Sequence, residues 1–241
     1  MDKRLAESFT GLGGELLTHS RYRGSEHEPG MVWASGRIRC QSDWIGLKLH
    51  CLKLDTAADL EVHLGEQAYV GVCPVEGTRV NVCGLFKMRK VRAAGRVDQL
   101  PAYLDACGLA QLAERLHGGE PDPQSAVGVT ALSYAHRPTD GVIRLGDQSG
   151  LIAPFTGNGM AMALESAALA ADPLTDYSAG RAEWNSTVAV INDRLHAAFN
   201  RRRRIARWLH PWLLSPSKQG CLAKLAEGGC LPFGLLFRLT H

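Results

Sequence analysis

The stretch GVIRLGDQSGLIAPFTGNGMAMALESAALAA, residues 141–171, decides the fold of this chain. Val142 to Leu145 predicts a short buried strand, and Gly146-Asp147 ends it. A loop rich in glycine and proline follows, and the small residues from Gly159 to Ala171 predict a helix. The expected order is therefore a strand, an acidic turn, a loop and a helix.

Each part of this stretch suits a flat ligand that carries hydroxyl or phosphate groups. Asp147 directly follows the strand and can accept hydrogen bonds from a chain of hydroxyl groups. Gly150, Gly157 and Gly159 allow the backbone to approach a ligand closely, because they have no Cβ atom. The N–H groups at the start of the helix, together with its dipole, favour an electron-rich group at that point.

Residues 146–160, GDQSGLIAPFTGNGM, resemble the second flavin-binding segment of FAD-dependent oxidoreductases of the aromatic-hydroxylase and geranylgeranyl-reductase type, commonly G-D-A-A-G-x-x-x-P-x-x-G-x-G. Gln148 and Ser149 replace two small residues. The resemblance implies that Asp147 holds the ribityl chain of FAD and that Pro154 to Met160 face the pyrimidine edge of the flavin ring. The alternative is a glycine-rich loop before an ordinary packing helix. The implied cofactor-binding residues are Gly146, Asp147, Pro154, Thr156, Gly157, Asn158, Gly159 and Met160.

Two further segments resemble motifs of the same family, each with substitutions. Residues 32–37, VWASGR, resemble a strand that ends in A-D-G, but Ser35 stands where the Asp that helps to hold FAD would be. Their alternative is a plain strand and turn. Residues 69–74, YVGVCP, lie where geranylgeranyl reductases carry Y-x-W-x-F-P, with Gly71 and Cys73 in place of two large aromatic residues. The resemblance therefore does not imply a bulky isoprenoid substrate.

The unit that binds the FAD pyrophosphate in this family, a strand, a G-x-G-x-x-G turn and a helix, is not found in the sequence. The nearest string, Gly11-Leu12-Gly13-Gly14, is predicted to close a helix over Asp2 to Leu12. A strand is predicted from Glu15 to Arg21. The resemblance thus implies a truncated FAD/NAD(P)-binding fold.

Four runs of alternating hydrophobic residues predict an antiparallel sheet with one buried and one polar face. In the resembled family such a sheet forms the substrate side of the flavin, which makes Lys48 and Tyr69 the candidate catalytic residues. His50 and His63 lie on the predicted polar faces too, and the alternative for all four is a solvated side chain. A hairpin turn is expected at Glu76-Gly77-Thr78. The runs are Trp44–Cys51, Leu60–Leu64, Ala68–Val75 and Arg79–Phe86.

Two helices are predicted after the sheet, over residues 97–107 and 109–116. Residues 118–124 contain two prolines and predict a polar turn. The apolar residues 126–134 are expected to form a strand that pairs with residues 142–145. That pairing would hold the acidic turn at the edge of a sheet.

The C-terminal third is predicted to be helical. Asp172-Pro173 is expected to stop the helix that begins at Gly159, and residues 181–208 have the pattern of another helix. That helix carries Arg201 to Arg204 and Arg207. A basic run of this kind is expected to be a solvated face, with binding to anionic lipid or nucleic acid as the alternative.

Composition narrows the class of protein. The 241 residues have a net charge of +3, too weak to indicate a nucleic-acid partner. The seven cysteines include no C-x-x-C, and His50 and His63 lack a third ligand at useful spacing, so neither a disulfide framework nor a metal site is expected. A reducing cytoplasm is the expected location. No signal peptide is recognised, and at most a peripheral membrane contact is expected.

The sequence therefore predicts an α+β (α/β) protein: an antiparallel substrate-side sheet, a strand-loop-helix flavin segment and a helical C-terminal region. Its expected domains are 1–43 with 126–171 for FAD, 44–125 for substrate, and 172–241. The implied function is an FAD-dependent oxidoreductase, monooxygenase-like or reductase-like, acting on a small molecule with NADPH or NADH as reductant. One alternative is a degenerate flavoprotein-like module that has no catalysis of its own and serves as a binding domain. Another is that DNA upstream encodes the pyrophosphate-binding unit.

Overall fold

The computed structural model describes residues 2–37, 42–129 and 141–240, in two compact units, 1–31 and 32–241. The first unit contains helix α1 (Asp2–Gly11), which confirms the predicted helix. The strand predicted over residues 15–21 is wrong, because this segment forms turns and irregular backbone. Leu16 and Leu17 are adjacent, so a strand would send them to opposite faces, and both are exposed.

The second unit contains all the strands and the remaining helices. The strands are β1 (Val32–Trp33), β2 (Trp44–Leu52), β3 (Glu61–Gly65), β4 (Ala68–Pro74), β5 (Arg79–Lys87), β6 (Glu120–Val129) and β7 (Ile143–Arg144). The helices are α2 (Arg96–Ala106), α3 (Ala110–Gly118), α4 (Gly159–Ser178), α5 (Trp184–Leu214), α6 (Pro216–Glu227) and α7 (Phe233–Thr240). This arrangement confirms the predicted α+β architecture, with an antiparallel sheet, a strand-loop-helix segment and a helical C-terminal region.

The large sheet has five antiparallel strands in the order β3-β4-β5-β2-β6. One face packs against α2 and α3 and buries a continuous apolar core that includes Leu49, Val70, Val82 and Leu104. The opposite face carries Tyr69 and Leu85 and packs against the loop before α4 and the end of α5. The first face is therefore covered, whereas the second is covered only around Tyr69 and Leu85, where it meets the predicted flavin segment.

Strand β6 corrects two predictions about residues 118–134. The segment from Glu120 onwards is a strand instead of a polar turn, and it pairs with β2 instead of residues 142–145. Pro121 and Pro123 are tolerated because β6 is an edge strand, where a missing N–H leaves no ladder bond broken. Residues 130–134 lie outside the described part of the chain.

The true partner of β7 is β1, and the two strands form a parallel pair in which Val32 lies opposite Ile143. This pairing brings the residues after β1 next to those after β7. The Gln148 side-chain amide accordingly donates a hydrogen bond to the Ser35 hydroxyl, at 2.8 Å between Nε2 and Oγ. The two segments that resemble FAD-holding motifs are therefore neighbours in space.

Helix α4 does not stop at Asp172-Pro173 as predicted, but continues to Ser178 with Pro173 buried inside it. Proline has no N–H to donate to the carbonyl of Leu169, four residues earlier. The guanidinium of Arg194 on α5 donates to that carbonyl instead, at 3.3 Å. A contact from a neighbouring helix thus replaces the bond that the proline removes.

Helices α4 and α5 share a second core with β7, formed by residues such as Ile143, Met162, Ile191 and Phe199. Helix α5 is longer than the predicted 181–208, since it ends at Leu214. No helix in the described ranges is long and apolar enough to cross a bilayer. The division of the chain into the three expected domains stays a prediction.

Candidate functional site

Asp147 lies in a short 3-10 helix, Gly146–Gln148, at the end of β7. Gly146 has a φ of 57°, a conformation that favours glycine, and its N–H donates to the hydroxyl of Ser166 on α4 at 2.9 Å. A Cβ added at Gly146 would meet the Cβ of Ala163 at 3.2 Å. The close contact with α4 therefore requires glycine at this position and fixes the acidic turn against the helix.

The carboxylate of Asp147 is in an unusual environment. Burial raises its pKa above the ordinary value, and the positive charge of Arg37 partly opposes that rise. No hydrogen bond to the carboxylate is formed by the described residues. Both oxygens of this half-buried carboxylate can therefore accept hydrogen bonds from a ligand that carries hydroxyl donors.

Polar side chains of the loop before α4 form hydrogen bonds that fix its conformation. The Thr156 hydroxyl donates to the carbonyl of Ala153 at 3.0 Å, and the Asn158 amide donates to the carbonyl of Thr240 at 2.8 Å. Both side chains are buried. Gly157 has a φ of 67° and turns the chain into the helix. The side chains of Thr156 and Asn158 thus already form hydrogen bonds within the protein.

The N-terminus of α4 is left open for a ligand. Asn158 is the N-cap residue, but no side-chain cap bond is formed by it or by any other described residue. The first intrahelical bond runs from the Met162 nitrogen to the Asn158 carbonyl, so the N–H groups of residues 159–161 have no acceptor within the helix. Cβ atoms built on Gly157 and Gly159 would meet nothing within 4 Å. The helix mouth therefore faces open space.

The acidic turn and the helix mouth face one cleft. Asp147 and Gly159 both line it, and Ile152, Met162 and Phe199 form its apolar wall. The enclosed part of the cleft holds about one water molecule. A hydroxyl chain beside Asp147 and a ring before Gly159 would therefore lie in the open part of the cleft. The residues present fit a flavin on these terms.

Tyr69 joins the sheet to this site. Its hydroxyl accepts a hydrogen bond from the backbone nitrogen of Phe155 at 3.2 Å, and the two rings pack edge to face with centroids 6.2 Å apart. The ring of His210 on α5 stacks on Phe155, also at 6.2 Å. Burial lowers the pKa of His210 to about 4, so its imidazole is neutral at pH 7.

A larger cavity of about 400 Å³ lies beside this aromatic cluster. Trp44, Lys87, His210 and Leu214 line it. Its volume falls within the range of small-molecule sites. The cavity combines an apolar wall with the side chains of Glu66 and Lys87, and it lies on the face of the sheet that carries Tyr69.

The structure separates the other candidate residues of the sheet. Lys48 is exposed on the Tyr69 face, one cross-strand row away, opposite Cys83 of β5. His50 is on that face too, beside the edge strand β6. His63 is on the opposite face, with its Nε2 2.8 Å from the Glu61 carboxylate. The structure thus brings Tyr69 to the loop before α4 and does not bring the two histidines together.

Residues of α5 complete the site and were missed by the sequence analysis. Phe199 lines the cleft, and Arg203 donates from Nη1 to the carbonyl of Ser149 at 2.8 Å. Arg203 is only 9% exposed, so the prediction of a solvated face is wrong for this arginine. The sequence signal that could have identified these residues is their spacing. Phe199, Arg203 and His210 lie at helical intervals on the buried stripe of α5.

No protein-family model and no curated protein sequence matches the chain. Solved structures do match. HpxO of Klebsiella pneumoniae, crystallised with FAD and uric acid, is 16% identical, with a TM-score of 0.58 over 81% of this chain and 54% of HpxO. PqsL of Pseudomonas aeruginosa, a probable FAD-dependent monooxygenase, is 18% identical, with a TM-score of 0.58 over 80% of this chain and 58% of PqsL.

This chain has the fold of part of an FAD-dependent monooxygenase. A geranylgeranyl bacteriochlorophyll reductase-like protein from Thermoplasma acidophilum also matches, with 22% identity and a TM-score of 0.56 over 76% of this chain and 46% of that protein. The predicted flavoprotein fold is therefore confirmed. The chain spans about half the length of these three solved structures.

Proposed function

We propose that this chain forms the flavin-ring and substrate portion of an FAD-dependent oxidoreductase, monooxygenase-like or reductase-like. The observation that carries the proposal is that Asp147 and the uncapped N-terminus of α4 face the same cleft. The flavoprotein fold supports it. Bound FAD would supply the redox chemistry, taking hydride from NADPH or NADH and passing electrons to oxygen or to the substrate.

The chain's own residues would bind and orient the cofactor. Asp147 would accept hydrogen bonds from the ribityl hydroxyl groups, and its burial would strengthen those bonds because water competes less for the carboxylate. The N–H groups at Gly159 and Met160 would donate to the electron-rich edge of the ring. The hydrogen bond between Tyr69 and Phe155 holds the loop before α4 against the sheet.

We place the substrate, a small organic molecule, in the cavity beside the aromatic cluster. Trp44 and His210 offer flat aromatic surfaces there, and the polar part of the lining includes Glu66 and Lys87, whose ammonium is paired with Asp43 at 3.3 Å. The neutral state of His210 keeps this wall free of a second positive charge. Lys48 lies on the same face of the sheet and is the candidate for orienting an anionic group during turnover.

The binding experiment compares the wild type with Asp147→Asn. The purified chain is titrated with FAD, and quenching of flavin fluorescence gives the affinity. A charge-assisted hydrogen bond is worth about 1.5 to 3 kcal/mol, so the variant should bind FAD about 10 to 100 times more weakly. Asp172→Asn is the matched control, because Asp172 is an exposed carboxylate on α4 away from the cleft.

Stability separates binding from folding in this experiment. Because burial raises the pKa of Asp147, its charged form is disfavoured in the folded state, and Asp147→Asn should unfold no more easily than the wild type at pH 7. Equal FAD affinity in the wild type and Asp147→Asn would refute the cofactor assignment. Absence of any flavin binding by the wild type would leave the alternative, a flavoprotein-like module without catalysis of its own.

A further inference from the structure

A second cavity, of about 130 Å³, lies beside the loop that follows Asp147, and α5 supplies most of its wall. The contributing side chains are three to four residues apart, so they form one stripe along the helix. The wall is cationic and polar, and it meets the loop at Gly150. The stripe consists of His196, Asn200, Arg203, Arg204 and Arg207.

Arg203 is built into this cavity. Its side chain is more than nine-tenths buried, and one nitrogen is held by the Ser149 carbonyl. Among the described residues no carboxylate forms an ion pair with it. Burial and the positive charge of Arg207 lower the pKa of Arg203. A buried cation in this state is stabilised by an anion from outside the chain.

Gly150 packs closely against the side chain of Arg203. It has a φ of 138°, and a Cβ added there would lie 2.4 Å from Nη1 of Arg203. The adjacent Arg202 shows the contrast, because it forms two hydrogen bonds to the Glu165 carboxylate, at 2.6 and 3.3 Å. Helix α5 therefore neutralises Arg202 with an acid but leaves Arg203 and Arg204 without one in the described residues.

The second cavity adjoins the cleft of Asp147. Gly150 lines both, and Phe199 in the cleft wall is one helical turn from Arg203 in the cavity wall. A ligand whose hydroxyl chain lies beside Asp147 would extend its far end towards the arginines. Guanidinium groups bind phosphate oxygens through paired hydrogen bonds, and several of them side by side suit a group that carries more than one negative charge.

We propose that the stripe on α5 is an anion site that binds the phosphate or diphosphate group of a phosphoester ligand. Arg203 and Arg204 would hold the phosphate oxygens, and the amide of Asn200 would add a neutral donor. The identity of the ligand rests on the proposed function. The inference that the site binds phosphate rests on the residues that line the cavity.

Inorganic pyrophosphate is the direct probe, measured by calorimetry at low salt. Arg204→Gln tests the site, since Arg204 is exposed and its loss should not disturb folding, and Arg201→Gln is the matched control on the same helix outside the cavity. Arg204→Gln should weaken pyrophosphate binding about tenfold, and Arg201→Gln should leave it unchanged. Equal affinities in the three proteins, or no binding by the wild type, would overturn the proposal.

Flavins of increasing length identify the source of the phosphate. If it belongs to the flavin, Arg204→Gln should weaken FMN and FAD binding about tenfold and leave riboflavin affinity unchanged. If it belongs to a separate phosphoester such as NADPH, only that ligand and pyrophosphate should be affected. Riboflavin binding tests the proposed function and pyrophosphate binding tests this site, so failure of one is distinguishable from failure of the other.

Discussion

The hydroxyl oxygen of Tyr69 lies 3.2 Å from the backbone nitrogen of Phe155, although 86 residues separate them in sequence. Tyr69 is on β4, the second strand of the sheet, and Phe155 is in the loop that leads into α4. This hydrogen bond is a direct polar link between the sheet and the helix mouth. The position of that mouth therefore depends on a residue that the sequence analysis considered only as a catalytic candidate.

Replacing Tyr69 with phenylalanine should weaken both the fold and flavin binding. The variant leaves a partly buried N–H without its acceptor, which costs about 1 kcal/mol, measurable by urea unfolding. Flavin affinity should also fall, because the loop is less restrained. Tyr103→Phe is the control, since that hydroxyl bonds to the Arg89 carbonyl beneath the other face. It should lower stability alone, and an equal loss of flavin affinity in both variants would contradict the link.

Gly159→Ala should separate cofactor binding from stability. The glycine begins α4 with ordinary backbone angles and open space around it, so alanine should not destabilise the free protein. The added methyl group would lie where the flavin edge is expected, and affinity should fall on the order of tenfold by fluorescence titration. Gly220→Ala, in the interior of α6 with equally open space, should leave flavin affinity unchanged.

Lys48→Met should lower turnover without changing flavin affinity. Lys48 is exposed on the Tyr69 face of the sheet, and the unfolding free energy should change by no more than about 0.5 kcal/mol. Steady-state kinetics with a turned-over substrate provides the measurement. Lys90→Met removes the same charge from an exposed loop and serves as control. If both variants turn over at the wild-type rate, Lys48 is an ordinary solvated side chain.

Stability should fall on acidification because of His210. Its pKa is about 4 in the folded state and near 6.5 when unfolded, so its contribution is complete above pH 6.5 and is lost as the pH falls towards 4. The loss amounts to about 3 kcal/mol at most, measured by urea unfolding across that window. His210→Phe should flatten the dependence, whereas His196→Gln, at an exposed position, should not.

The sequence was sufficient for features that depend on local patterns. The strand, acidic turn, loop and helix around Asp147 were predictable because glycine, proline and apolar spacing determine each of them within a few residues. The antiparallel sheet from Trp44 to Phe86 was predictable for the same reason, since residue alternation directly reports one covered face.

The errors concern features that depend on distant contacts. Pro121 and Pro123 indicate a turn unless the strand is known to lie at an edge, and only the pairing with β2 shows this. Pro173 indicates a helix end unless a donor such as Arg194 is present on another helix. Arg203 looks like a solvated residue until its carbonyl partner, Ser149, is brought beside it. In each case the deciding group is more than 20 residues away in sequence.

The carbonyl of Leu169, which Arg194 satisfies, restricts how α4 and α5 can slide along each other. A displacement of one helical turn, about 5.4 Å, would leave this carbonyl without a donor, so the two helices have one favoured register. Arg203 is nine residues beyond Arg194, about 13 Å along the same helix. Pro173 therefore helps to set the distance between the arginines of α5 and Gly150, because the carbonyl that it leaves without a helical donor favours one register of the two helices.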